Sequence, residues 1–270
     1  MKITITILCA CIQIFAHAQN VKMDTIAPME VKVSYEVSQL CDYHNQWRAN
    51  DWREKSTLLL EIGKGIAHSY VVEEHNKLID QFVMFRNKNR WKLEPFNTHA
   101  LLGETFIGYP DENELTQIVN LDAAGVFQYT EPTPKLKWNV FPEHKTIIGY
   151  NCQRATCSFR GRNYEAWFTS EIPLSNGPWK FQGLPGLILE IADEKNEYHF
   201  IATGIEQEKK MEYITIFDEK IRVIKRNRFL KMEAMLHRDH GAFAADYGIN
   251  YRLGDGQEHN SQPYHPIELK

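Results

Sequence analysis

The sequence has no glycine-rich phosphate loop, no G-x-S-x-G elbow, no H-E-x-x-H motif, no C-x-x-C pair and no G-x-G-x-x-G dinucleotide turn. These absences remove the usual routes to phosphoryl transfer, serine acyl transfer, zinc proteolysis, dithiol chemistry and nicotinamide or flavin binding. His237-Arg238-Asp239 and Asp246-Tyr247-Gly248 look superficially like protein-kinase signatures. However, Ala244 stands where the catalytic-loop asparagine belongs, and the β3 lysine is missing as well. Beyond Phe15 no apolar run is long enough to span a bilayer as a helix, which predicts a soluble mature chain. The net charge of −4 is too small to imply a polyanionic partner, and nothing in the composition points to nucleic acid. With 43% hydrophobic and 24% charged residues, the chain is not disordered either.

The first residues carry the clearest signal that is present. Lys2 is a short positive n-region, Ile3 to Phe15 form an apolar stretch too short for a membrane span, and Ala16-His17-Ala18 supplies small residues where a signal peptidase reads. The expectation is a cleaved leader over residues 1–18, with Gln19 as the new N-terminus and a charge of −5 once Lys2 is removed. Leu8-Cys9-Ala10-Cys11 offers a lipid-anchor alternative, with the wrong residue at its second position and too short an apolar run before it.

Only Cys41, Cys152 and Cys157 outlast that leader, an odd number that allows at most one bridge. Export permits a disulfide. Cys152 and Cys157, five apart on an apparent strand, face opposite sides and cannot join. Cys41 is then the better partner for one of them, and three unpaired buried thiols are the equal alternative.

Period-two alternation marks strands at Val31 to Val37, Leu58 to Ile62, Ile66 to Val72, Leu115 to Leu121, Val126 to Thr130, Leu136 to Val140, Lys145 to Tyr150, Ala155 to Arg160, Tyr164 to Thr169, Leu187 to Ile191, Tyr198 to Ile205 and Tyr213 to Phe217. The high aromatic content, 12%, fits sheets. Glu73 to Phe85 reads as a helix and residues 87–113 as a long surface connection. A longer helix is expected after an Asp218 N-cap, with Ile221, Ile224, Met232, Met235 and Leu236 on one face and Gly241 ending it. Short strands without intervening helices predict a mainly β (α+β) fold. Its form is a single curved antiparallel sheet, with a half-barrel as the alternative, in one domain over 19–270.

Gly177-Pro178-Trp179-Lys180-Phe181-Gln182-Gly183-Leu184-Pro185-Gly186-Leu187-Ile188 is the most unusual stretch. Leu184 to Leu187 has type II turn chemistry, with proline presetting φ and Gly186 accepting a positive φ. A turn this apolar must pack against something, either its own sheet or an outside surface. The stretch resembles the GLPGLI family of exported Bacteroidota proteins, whose name Gly183 to Ile188 spell. Further matching residues are Trp138, Ile148 to Cys152, Arg160-Gly161-Arg162, Ala166 to Thr169, Glu171-Ile172-Pro173 and Pro266 to Leu269. The resemblance implies a Gram-negative envelope setting and a layout similar to periplasmic half-barrel lipid carriers, with a helix in the concavity of a curved sheet. It brings no established activity and no catalytic residues.

Two functional readings follow. The first is a non-catalytic, cofactor-free binding or accessory protein. Trp138, Trp167, Trp179, Phe181, Leu184, Pro185, Gly186 and Leu187 would meet a lipid, a peptide or an outer-membrane partner. The second is a metal-assisted hydrolase built on His237 and His240, three apart on a helix, with Asp239, His259 or His265 as third ligand. Lys220, Arg222, Lys225, Arg226, Arg228 and Lys231 read as a solvated basic helix face that also suits anionic headgroups or an acidic partner. Arg154, Arg160 and Arg162 form a similar cluster. Asp193-Glu194 reads as a solvated turn.

Overall fold

The computed structural model describes residues 21–40, 53–86, 102–121, 124–207, 211–247 and 266–269. The expected leader, Cys41, His259 and His265 lie outside them.

The alternating segments become strands. They are β1 (Met23–Leu40), β2 (Arg53–Gly63), β3 (Ile66–Val71), β4 (Glu104–Ile107), β5 (Glu114–Asn120), β6 (Val126–Pro132), β7 (Asn139–Ile147), β8 (Tyr150–Phe159), β9 (Arg162–Thr169), β10 (Leu187–Asp193), β11 (Tyr198–Gln207), β12 (Tyr213–Phe217) and β13 (Arg222–Val223). The helices are α1 (Val72–Arg86), α2 (Arg226–Arg238) and α3 (His240–Asp246). All strands belong to one open sheet in the order β13-β6-β5-β4-β3-β2-β1-β11-β10-β9-β8-β7, with β12 pairing the start of β1. Every pair is antiparallel except β13 against β6. The sheet does not close into a barrel. Among the described residues no helix is long and apolar enough to cross a membrane.

Register gives the sheet two distinct faces. On the front, Tyr35 lies between Leu58 and Ala202, and Leu60, Ser69, Thr105, Gln117 and Tyr129 form one row across five strands. On the back, Glu61, His68, Phe106, Thr116 and Thr130 form the neighbouring row. Helix α1 covers the back, packing Leu78, Ile79 and Phe82 with Phe106, Ile118 and Phe217.

Several local expectations change. The polar segment 87–113 contains β4, whose four residues are all buried between β3 and β5. Four residues are too few to show a period in sequence. Lys145 to Tyr150 is not one strand but the end of β7, the two-residue turn Ile148–Gly149 and the start of β8. Both turn residues have positive φ, 41° and 90°, the handedness that hairpin twist demands. Residues 133–138 have no regular secondary structure, so the strand expected from Leu136 begins only at Asn139. The helix expected from Asp218 begins only at Arg226, because Arg222 and Val223 pair with Phe127 and Gln128 of β6 and Ile224 N–H donates to the Gln128 carbonyl at 2.9 Å. Sheet pairing at this point overrides helix propensity.

Cys152 and Cys157 sit on opposite faces of β8, as their spacing requires, and both are free buried thiols. Burial pushes their pKa values up to about 11 and about 12. Alkylation of the folded protein at pH 8 should therefore leave both unmodified, and unfolding should expose them. Mass spectrometry of the peptides checks this, and labelling of either before unfolding would contradict the structure.

Candidate functional site

The Gly177–Ile188 segment crosses the front face and is held there by its own side chains. Trp179, Phe181, Leu184 and Leu187 are all at most 2% exposed. Phe181 meets Tyr164, Phe200 and Trp179 edge-on, with centroids 4.7, 6.2 and 5.4 Å away. Burial of each side chain of this size contributes about 1.5–3 kcal/mol. The Tyr35 hydroxyl donates to the Ile188 carbonyl at 2.6 Å from beneath. From the outer side, Trp138 Nε1 donates to the Gln182 carbonyl at 2.8 Å, and its ring lies over Gly183. The segment is thus clamped between the sheet and residues 133–138.

The turn chemistry differs from expectation. The positive φ falls on Gly183, at 95°, and on Trp179, at 52°, and not on Gly186. Gly186 is needed for another reason: a Cβ there would collide with the Thr169 carbonyl oxygen, a backbone atom that cannot move aside. Gly186→Ala should therefore destabilise by more than about 3 kcal/mol, beyond the usual cost of overpacking. Gly183→Ala meets only backbone strain and should cost about 1–2 kcal/mol. Urea unfolding of the two variants checks the order.

Lys180, in the middle of this apolar run, is fully buried. Its ammonium donates to Glu268 Oε1 at 2.6 Å, the Tyr129 hydroxyl at 3.0 Å and Glu131 Oε1 at 3.1 Å. Arg226 pairs with Glu268 and lies 3.4 Å from Glu131, and Arg160 reaches Glu131 at 2.6 Å. Burial alone would drive the proton off Lys180, but the surrounding phenol and two carboxylates outweigh it and raise its pKa. Beside this cluster, buried Arg162 holds Asp193 at 3.0 Å and Glu197 at 2.5 Å. Arg160, Arg162, Arg226 and Asp193 are therefore not a solvated surface. They are committed to ion pairs formed by residues distant in the chain.

A second polar cluster lies on the back face under the first turn of α1. His68 presents Nε2 to Glu104 at 3.3 Å and Nδ1 to Glu61 at 3.4 Å. His75 Nδ1 is 2.6 Å from the other oxygen of Glu104, and the Tyr70 hydroxyl donates to Glu61 at 3.1 Å. An ionised carboxylate only accepts, so both His68 nitrogens must carry protons and the ring is an imidazolium. It stacks on Phe106 at 4.0 Å. Burial opposes this charge, and the hydrogen bonds from Glu104 and Glu61 override it, raising the His68 pKa to about 9. Glu104, for which burial is likewise outweighed by the two histidines, falls to about 2.

Few of the residues expected to meet a partner reach solvent. Trp179, Phe181, Leu184 and Leu187 face the protein's own core, and Gly186 is buried against Thr169, so these five offer no outward surface. Pro185 is exposed, while Trp138 and Trp167 are half-buried. Trp167 alternates with front-facing Ala166 and Phe168 and so projects from the back, with Lys145 over its ring at 4.4 Å. The structure does not bring it together with Trp138.

The metal reading gains nothing from the described residues. His237 is buried in the last turn of α2, and Asp239 is occupied in capping α3, accepting from Ala242 N–H at 2.8 Å. His240 opens α3. No group of three metal-binding side chains occurs among the described residues. Sequence reasoning missed the two buried clusters. Their only local sign was a lone Lys180 between Trp179 and Phe181 and a lone His68 in an apolar strand.

A family model described as a protein of unknown function (Porph_ging) matches residues 159–190. The matched span contains Arg160, Arg162, Tyr164 and Lys180 together with the whole Gly177–Ile188 segment. No curated protein matches the chain in sequence. Two solved structures resemble it, PNGF-II in P21 and in C2 crystals. Their identities are 16% and 15% and their TM-scores 0.46 and 0.47, over 75% and 76% of this chain and 32% of theirs. The chain spans about a third of the length of these structures.

Proposed function

We propose that this chain is an exported envelope protein of the GLPGLI type, one domain after removal of residues 1–18, with a non-catalytic binding or accessory role. The observation that supports it is the use made of the signature segment. Its aromatic and leucine side chains fill the front face, where a lipid carrier of similar layout would keep a cavity. A polypeptide partner suits the remaining surface better than a lipid does. Trp167 stands among fixed charges, Lys145, Arg154, Glu165 and Glu190, and such a patch matches another protein's polar rim.

The test has two arms. Fractionation of cells making the full chain should place it in the envelope with Gln19 as its N-terminus. A photo-crosslinker at Glu165 should capture an envelope protein, and Trp167→Ala should remove that crosslink while the protein stays folded by circular dichroism. An uncleaved cytoplasmic chain would refute the export reading. Crosslinking indifferent to Trp167→Ala would refute the docking reading. Leu184→Ser or Leu187→Ser cannot serve, because both leucines are core and their loss should cost about 2–5 kcal/mol of stability whatever the partner.

A further inference from the structure

Pro266–Leu269 lies against the front of the sheet as a bound peptide would, and each of its residues is read by the folded body. Arg162 donates Nε and Nη2 to the Pro266 carbonyl at 3.1 and 2.6 Å. The Tyr164 hydroxyl donates to the Ile267 carbonyl at 3.3 Å, and the Ile267 side chain is buried in the main core. Lys180 and Arg226 hold the Glu268 carboxylate. Leu269 N–H donates to the Arg160 carbonyl at 2.8 Å.

The receiving groups are braced independently of this segment. Asp193 and Glu197 fix Arg162, Glu131 fixes Arg160, and Tyr129 and Glu131 hold Lys180. The groove therefore reads two backbone carbonyls, one N–H, one aliphatic side chain and one carboxylate, a pattern that any chain of suitable sequence presents. None of these contacts depends on covalent continuity with the sheet.

We infer that the groove framed by Arg160, Arg162, Tyr164, Lys180 and Arg226 is a peptide-binding site for a Pro–aliphatic–Glu segment followed by any residue with a free N–H. It is occupied by the chain's own Pro266–Leu269 and accepts the same segment from a second copy of this chain. A tethered segment competes at an effective concentration of about a millimolar, so occupancy from outside needs the resident segment weakened or the protein concentrated.

The probe is a fluorescent peptide of the sequence His-Pro-Ile-Glu-Leu-Lys, titrated into full-length protein. Full-length Glu268→Ala should bind it at least about tenfold more tightly than wild type, since its own segment competes poorly. The same peptide with alanine for glutamate should bind neither. The intact peptide should also raise the melting temperature of Glu268→Ala towards the wild-type value, a readout that works even where the variant alone is unfolded. Wild type near millimolar concentration should form an exchanged dimer that Glu268→Ala abolishes. Failure of the peptide both to bind and to stabilise Glu268→Ala overturns the site, as does equal binding of the glutamate-free peptide. A wild type that stays monomeric at that concentration overturns exchange between copies.

Discussion

Glu268→Ala should destabilise the folded chain by about 3–5 kcal/mol, the range for leaving a buried ion without its partner. Three cations, Lys180, Arg160 and Arg226, surround two carboxylates, Glu131 and Glu268. Removing Glu268 leaves three positive groups on Glu131 alone, and Lys180 cannot turn to water because it is fully buried. Lys180→Met has a different balance. It leaves two cations and two carboxylates and puts an unbranched apolar chain into the same space, so it should cost no more than about 2 kcal/mol. Lys180→Met combined with Glu268→Ala should cost less than the sum of the single changes, because the two groups are in direct contact. Urea unfolding of the four proteins measures all three differences. A Lys180→Met variant less stable than Glu268→Ala would contradict the charge count.

Stability should fall by about 3 kcal/mol between pH 6.5 and 9, because His68 loses its proton in that window. Its pKa is raised from 6.5 in the unfolded chain to about 9 in the fold. The stabilisation is therefore complete below pH 6.5 and lost as pH rises through about 9, at about 1.4 kcal/mol per unit. Glu104 works in the opposite direction. Its folded pKa of about 2 lies below the ordinary 4.5, so its contribution is present above pH 4.5 and fades as pH falls towards 2. The pair sets a stability plateau from about pH 4.5 to 6.5. Melting temperatures from pH 4 to 9.5 test this in wild type and in His68→Gln, which should lack most of the alkaline decline. A wild-type curve flat between pH 6.5 and 9 would show that His68 is not charged in the fold.

The two clusters behind these predictions were almost invisible in the sequence, and for one reason. Strand patterning depends on neighbours two residues apart, so the alternation of Val33, Tyr35 and Val37, or of Tyr164, Ala166 and Phe168, is legible from a short window. The partners of Lys180 stand 49 and 88 residues away in sequence, at Glu131 and Glu268. Those of His68 come from β2 and from the start of β4. A basic side chain next to a turn reads as solvated unless its acceptor is known. That is how Arg160, Arg162 and Arg226 came to look like surface and proved to be ion pairs. Conversely, the apolar character of Trp179, Phe181, Leu184 and Leu187 was plain in the sequence, but which surface they press against was not.

Local periodicity and composition by themselves determined the mainly β class, most of the strands, helix α1 and the opposite facing of Cys152 and Cys157. Tertiary structure alone decided that β4 is a central strand and that the helix after β12 begins late. It alone turned the Gly177–Ile188 segment inward and brought Pro266–Leu269 to its side. The first set follows from backbone geometry repeated every two to four residues. The second follows from hydrogen bonding and charge neutralisation between segments that meet only once the sheet has assembled.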